Sequence, residues 1–250
     1  MNIIIFGATG GTGRALVQQA LEQQHTVTAF ARDPAKVRTT HKNLRVANGN
    51  ILDYHSVKAA LVNQDAALSA LGVRPPVGVV VLVAIACQVI ARLAGLSWPL
   101  AWLVRLVIPV VVLLVAERRT TTLSEGTKNI VRAMQELGVR RFVCESSLGV
   151  GDSRGQLGFL YNLFLIPLFL RNIFAEKETQ EATIKASNLE WVIVRPAALT
   201  NGPKTGVYRS WTGLPTVPLR TRISRADTAD FMLRQLGEDT YLRRTPGLSY

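Results

Sequence analysis

The residues best suited to chemistry form the run Gly7-Ala8-Thr9-Gly10-Gly11-Thr12-Gly13-Arg14. Gly7 allows a tight turn out of a strand, Gly10 lets backbone approach a pyrophosphate, and Gly13 permits a helix to pack closely on that strand. Thr9, Gly11 and Thr12 complete the turn. A helix beginning here directs free N–H groups and the positive end of its dipole at phosphate. The spacing is G-x-x-G-x-x-G, and its force comes from context, with a strand before it and a helix after it. Ala31-Arg32-Asp33 stands where a second strand ends, the position that chooses between dinucleotides. Arg32 can pair with a ribose 2′-phosphate, with help from Arg14 on the helix side, which favours NADP(H). Asp33, one step later, keeps NAD(H) open. Asp53, after Gly49-Asn50-Ile51-Leu52, is placed either to reach the adenine edge or to cap a helix.

These residues need a scaffold, and the hydrophobic pattern supplies one. Strands are predicted over 2–6, 27–31, 44–47, 66–70, 141–144 and 191–195. Helices are predicted over 12–24, 53–61, 124–137, 177–187 and 227–236, and Gly138 stops the third of them. Ala15, Leu16, Ala20 and Leu21 fall on one face of the first helix. Strands alternating with helices indicate a Rossmann-like, doubly wound α/β fold, with a mostly parallel sheet covered on both faces. A single NAD(P)-binding domain over 1–250 is expected, with a small substrate lobe over 197–250 and an inserted segment over 75–118.

Composition narrows the function classes. The chain has 250 residues and a formal net charge of +12, yet no basic stripe interleaved with aromatics and no nucleic-acid motif, so no nucleic-acid partner is expected. Cys87 and Cys144 are unlike in context and form no disulfide framework or zinc spacing. His25, His41 and His55 form no metal cluster. The strand pattern right after Met1 is not that of a signal peptide.

Mean hydropathy is +0.20, and the apolar surplus is local. Residues 77–116 are broken mainly by Gln88, Arg92, Ser97 and Arg105. Residues 77–95 and 98–116 can each be drawn as a helix about 28 Å long, close to a bilayer core. Arg74, Arg118 and Arg119 flank this hairpin on one side, as the positive-inside rule asks, and Trp98 and Trp102 suit the far interface. The expectation is a membrane-attached protein whose catalytic domain faces the cytoplasm. The other reading is a hairpin that covers a substrate pocket or forms a homodimer interface. A second apolar stretch, Leu157 to Phe174, reads as substrate-pocket wall.

Gly7 to Gly13, Ala31-Arg32-Asp33, Ser69-Ala70-Leu71-Gly72 and Trp191-Val192-Ile193-Val194-Arg195-Pro196 resemble the atypical short-chain dehydrogenase/reductases. Within them the chain is similar to the NAD(P)H-binding group that includes biliverdin-IXβ/flavin reductase and NmrA-like proteins. The resemblance covers about residues 1–74 and 119–250. It implies a nicotinamide cofactor, with Arg32, Asp53 and the glycines at cofactor positions. Leu71 and Gly72 would line the cofactor, and Pro196 and Ala197 would pack near the carboxamide. It implies that Ser147, with Ser146 as the neighbouring alternative, faces the nicotinamide. It places Lys177 at the lysine of the family's Tyr-x-x-x-Lys pair, to hold ribose or substrate. Ile173 stands where the tyrosine would be, and Tyr161 is not placed in the site.

The expected activity is NADP(H)-dependent hydride transfer to a planar or hydrophobic acceptor such as a flavin or quinone. The proton would come from solvent or substrate. The competing expectation is a non-catalytic NAD(P)H-binding regulator or assembly factor attached to a membrane.

Overall fold

A computed structural model describes residues 1–72, 121–156, 171–215 and 220–250. The chain runs β1 (Asn2–Phe6), α1 (Gly11–Glu22), β2 (Thr26–Ala31), β3 (Leu44–Asn48), α2 (Tyr54–Leu61), β4 (Ala66–Ser69), α3 (Thr122–Leu137), β5 (Arg141–Glu145), α4 (Arg171–Lys185) and β6 (Glu190–Pro196). It continues through β7 (Ala198–Thr200), β8 (Arg209–Trp211), β9 (Arg222–Ser224), α5 (Arg225–Arg234) and β10 (Gly247–Ser249). The main sheet has the order β3-β2-β1-β4-β5-β6-β10-β8, parallel except for β8. The order reverses between β1 and β4, and such a switch point opens a crevice at the strand C-termini.

Strand alternation sends successive side chains to opposite faces. Ile3 and Ile5 of β1, Val143 of β5 and Val192 and Val194 of β6 pack with Leu16 and Val17 of α1 and with Phe231, Met232 and Leu233 of α5. Ile4, Phe6, Phe142, Trp191 and Ile193 pack on the other face with Val57 and Leu61 of α2, Ile130 and Met134 of α3 and Ile184 of α4. Both faces are therefore apolar, as a central parallel sheet requires.

The doubly wound sheet agrees with the pattern in the sequence. The inserted hairpin of 77–116, and most of Leu157–Phe174 with Tyr161, lie outside the described residues. No helix among the described residues is long and apolar enough to cross a membrane. The stretch expected to form a small C-terminal lobe is divided. Strand β10 inserts between β6 and β8 in the main sheet, α5 packs on α1, and only β7 and β9 form a separate two-stranded sheet. Helix α4 already runs at Arg171, the first described residue after 156, so Lys177 lies inside the helix and not at its start, where the sequence placed it.

One charged pair is buried in this apolar frame. Arg195 of β6 and Glu181 of α4 are 2% and 3% exposed and joined by two hydrogen bonds of 2.9 and 2.6 Å. Arg195 Nη1 reaches Asp152 Oδ1 at 2.5 Å, and Lys185 Nζ reaches Glu181 Oε2 at 3.1 Å. Burial alone would raise the Glu181 carboxyl. The Arg195 guanidinium and the Ser146 hydroxyl outweigh it and hold the pKa below its ordinary value.

Removing the guanidinium leaves a buried carboxylate without its main partner. Arg195→Met should lower unfolding free energy by about 3–5 kcal/mol, read as an earlier urea midpoint, and Glu181→Gln added to it should restore part of the loss. A second outcome concerns acid. A depressed folded pKa contributes stability that is full above the unfolded value, about 4.3, and is lost as pH falls through the folded one. The wild-type protein should therefore lose this contribution below about pH 4, and Arg195→Met should flatten that part of the stability–pH curve.

Candidate cofactor and reductase site

The glycine turn is built where backbone must pass backbone. Gly7 has φ +79°, and a Cβ on it would lie 2.5 Å from the Ala70 carbonyl oxygen at the end of β4. A Cβ on Gly13 would lie 2.0 Å from the Gly7 carbonyl oxygen. Side chains at either position would break the turn or push α1 off β1. Within the turn, Gly10 N–H donates to the Gly7 carbonyl at 2.9 Å.

Helix α1 differs from its neighbours at the start. Its N-cap, Gly10, offers no side-chain cap, and its first turn holds no acidic residue. By contrast Asp53 caps α2 and Ser224 caps α5. The first N–H groups of α1 thus have no side-chain acceptor at the switch-point crevice, and the only side chain that a Cβ on Gly10 or Gly11 would crowd is that of Arg225, beside Gly11. This is the arrangement a dinucleotide pyrophosphate needs, so the residues present fit the cofactor.

Contacts join the turn to the ends of β5 and β6. Thr12 Oγ1 donates to Glu145 Oε1 at 3.0 Å. Lys177, itself buried, donates from Nζ to the Glu145 main-chain oxygen at 3.4 Å. Ser146 N–H donates to the Val194 carbonyl at 2.7 Å, and Leu148 N–H to the Pro196 carbonyl at 2.9 Å. The glycine turn, Leu71, Ser146, Ser147, Lys177, Pro196 and Ala197 therefore gather around one end of the sheet. Lys177 approaches from the α4 face, while the Glu145 carboxyl turns to the α1 face. Burial pushes the Glu145 carboxyl pKa up, against the nearby Lys177 charge, the Thr12 hydrogen bond and the Arg225 charge.

The two serines have different surroundings. Ser146 is buried and spends its hydroxyl on Glu181 at 2.7 Å. Ser147 is half-buried, and among the described residues its hydroxyl donates to the neighbouring Leu148 carbonyl alone, at 3.2 Å. Ile173 stands one helical turn before Lys177 in α4, so no phenol neighbours the ammonium there.

The residues expected at the adenosine end are spread along the rim. Arg32 and Arg14 are exposed, with no ion pair to a described residue. Asp33 is engaged: it accepts from Ala35 N–H at 3.2 Å and pairs with Lys36 at 3.3 Å. Asp53 accepts from His55 N–H at 3.0 Å, the capping role weighed from the sequence. Gly72 is exposed at the end of the described stretch after β4.

Sequence reasoning missed the partners behind the site: Glu145, Glu181, Arg195 and Arg225. A signal existed for one of them. An arginine inside Trp-Val-Ile-Val-Arg-Pro, a strand buried on both faces, demands a carboxylate partner. Cys144 is a free buried thiol, its pKa pushed up to about 12 by burial, which makes it a packing residue.

The comparisons agree with this geometry. The profile of the NAD(P)H-binding family matches residues 7–95 and 107–239. An uncharacterized chloroplast protein of Arabidopsis thaliana is 29% identical over 82% of this chain. The photosystem II assembly factor Ycf39 of Synechocystis is 22% identical over 98% of it. The matched regions span 61% of the length of each of these two relatives. Among solved structures, ChuY, an anaerobillin reductase of Escherichia coli O157:H7, superposes with a TM-score of 0.69 at 18% identity, over 100% of this chain and 97% of that one. A short-chain dehydrogenase/reductase of Veillonella parvula in complex with NADP gives 0.69 at 15% identity, over 100% and 94%. These two likenesses concern the fold. The family match rests on the chain itself: this protein belongs to the NAD(P)H-binding family, with NAD(P)H as its cofactor.

Proposed function

We propose that the chain is an NADPH-dependent reductase that passes hydride to a planar, hydrophobic acceptor of the flavin or quinone type. The observation that carries this reading is the junction at the end of β5. A buried ammonium, Lys177, and a largely free hydroxyl, Ser147, flank a strand end beside the glycine turn, with Ile173 in place of a phenol.

The bound dinucleotide would supply the hydride. Lys177 would hold its ribose or the acceptor, and Ser147 would orient the acceptor by its hydroxyl. A simple ketone needs an acid beside it as the alkoxide forms. A conjugated acceptor spreads the incoming charge over several heteroatoms and takes its proton from water. A site with a cation and a hydroxyl but, among the described residues, no phenol one turn before the lysine suits the second chemistry. Leu71, Gly72, Pro196 and Ala197 would line the cofactor with backbone and small side chains, and Ser146 would support Ser147 through its bond to Glu181.

NADPH is favoured over NADH because Arg32, just past β2, has no ion pair among the described residues while Asp33 is held in its own turn. Arg14 would reinforce the 2′-phosphate, and Asp53, though capping α2, keeps one carboxyl oxygen for the adenine edge. One fold relative contains NADP, and another is named as an anaerobillin reductase, which accords with the reductase reading. Apart from these residues, a cavity of about 660 Å³ is lined by Thr200, Tyr208, Arg209, Arg220, Arg222 and Tyr250, and neither the glycine turn nor Ser147 nor Lys177 lines it. Its volume is that of a site for a drug-sized ligand.

A second reading is a regulator or assembly factor that binds NAD(P)H without turnover, attached to a membrane through 77–116 with this domain on the cytoplasmic side. The missing phenol and the likeness to Ycf39 along nearly the whole chain favour it. Loss of nicotinamide absorbance during incubation of NADPH with a panel of flavins and quinones separates the two. Turnover is expected; tight NADPH binding with no turnover on any acceptor would sink the reductase reading.

Two substitutions sharpen the assignment. Lys177→Met should lower kcat/KM on the order of 100-fold, the scale of a lost charge-stabilising donor. Arg32→Ala should raise the Kd of NADPH about tenfold or more while leaving that of NADH within about twofold, since only the 2′-phosphate distinguishes them. Equal losses for both dinucleotides would place Arg32 away from the 2′-phosphate.

A further inference from the structure

Gly11 has no backbone reason to be glycine. It is not among the residues with positive φ, and the three atoms nearest a Cβ on it all belong to a side chain. What it would meet is Arg225, at 2.4 Å from Cδ and 2.6 Å from Nε. The first residue of α5 therefore lays its side chain across the phosphate-binding turn, in the space that Gly11 leaves.

The guanidinium arrives there without a counter-charge. Its Nη1 donates to Asn201 Oδ1, a neutral and exposed amide, at 2.6 Å. No carboxylate among the described residues forms an ion pair with it. Glu145 feels its charge but lies buried beneath the turn, engaged with Thr12. An unpaired guanidinium thus touches the edge of the turn whose N–H groups have no side-chain acceptor. The location is fixed from behind: Ser224 caps α5 on Asp227 N–H at 2.9 Å, and Gln19 of α1 donates to the Ala226 carbonyl at 2.9 Å.

We propose that Arg225 is a positioning residue for the cofactor, closing over Gly11 to pair with the dinucleotide's pyrophosphate. The proposal rests on the NAD(P)H site described above. It adds a cation to a turn that otherwise binds phosphate by backbone alone, and the forked guanidinium geometry matches two phosphate oxygens at once. It also divides the labour between two arginines: Arg32 reads the group that distinguishes NADPH from NADH, and Arg225 reads the group they share.

The test is fluorescence titration of the full chain with NADPH and NADH, alongside thermal unfolding. Arg225→Gln is expected to raise Kd about tenfold for both dinucleotides by the same factor. Arg225→Lys, which keeps the charge and loses the fork, should recover part of that affinity. Inorganic pyrophosphate should compete with NADPH on the wild-type protein and lose potency on Arg225→Gln. Gly11→Ala should reproduce the loss by displacing the arginine, and the double variant should be no weaker than Arg225→Gln alone. Wild-type affinity for both dinucleotides in Arg225→Gln, even with a lowered melting temperature, overturns the proposal and leaves Arg225 as a staple between α5 and α1. A loss confined to NADPH overturns it as well. If the wild-type chain binds neither dinucleotide, it is the NAD(P)H reading itself that fails.

Discussion

The site depends on a buried ion pair. Glu181 lies on the helix that carries Lys177, Arg195 on the strand that ends at Pro196, and Ser146 beside Ser147. One carboxylate therefore fixes three separate pieces of backbone relative to one another. Apolar packing could hold α4 against the sheet, but packing alone is indifferent to small slides along the strand direction. A bidentate bond between guanidinium and carboxylate is not, because its two oxygens and two nitrogens must align. The pair sets the height at which Lys177 meets the end of β5.

A second acid accompanies the buried lysine at the mouth of the site. Lys177 has the Glu145 carbonyl as its acceptor, and the Glu145 carboxyl lies close enough for the two groups to influence each other. Thr12 connects that same carboxyl to the glycine turn. The cofactor end and the reactive end of the site thus share one acid, although its side chain points to the opposite face from Lys177.

The fold was legible in the sequence because both of its periods are written in apolar residues. Ile3, Ile4, Ile5 and Phe6 announce a strand buried on both faces, and Ala15 to Leu21 announce the helix. The glycine turn was legible because backbone crowding at Gly7 and Gly13 admits few residue types. Short strands without an apolar run, β7 to β10, were not legible. Their pairing is set by partners far along the chain: Gly247 with Arg195, Ala198 with Arg222. The start of α4 was misplaced for a related reason, since its first described turn carries Ile173 and Phe174 and continues an apolar stretch that reads as pocket wall. The contact between Arg225 and Gly11 joins residues from opposite ends of the chain, and no local spacing encodes it.

Strand β10 has a consequence for the order in which the molecule can be assembled. It lies between β6 and β8, yet it follows every other strand of that sheet along the chain. The strands of the half that holds the glycine turn all come from residues 2–69, although α5, from residues 225–234, covers that half on the α1 face. The half that would receive a substrate needs residues 247–249 between β6 and β8. The cofactor half is thus wound from neighbouring stretches of chain, and the reactive half is completed by pairings that close long loops, the slower kind to form.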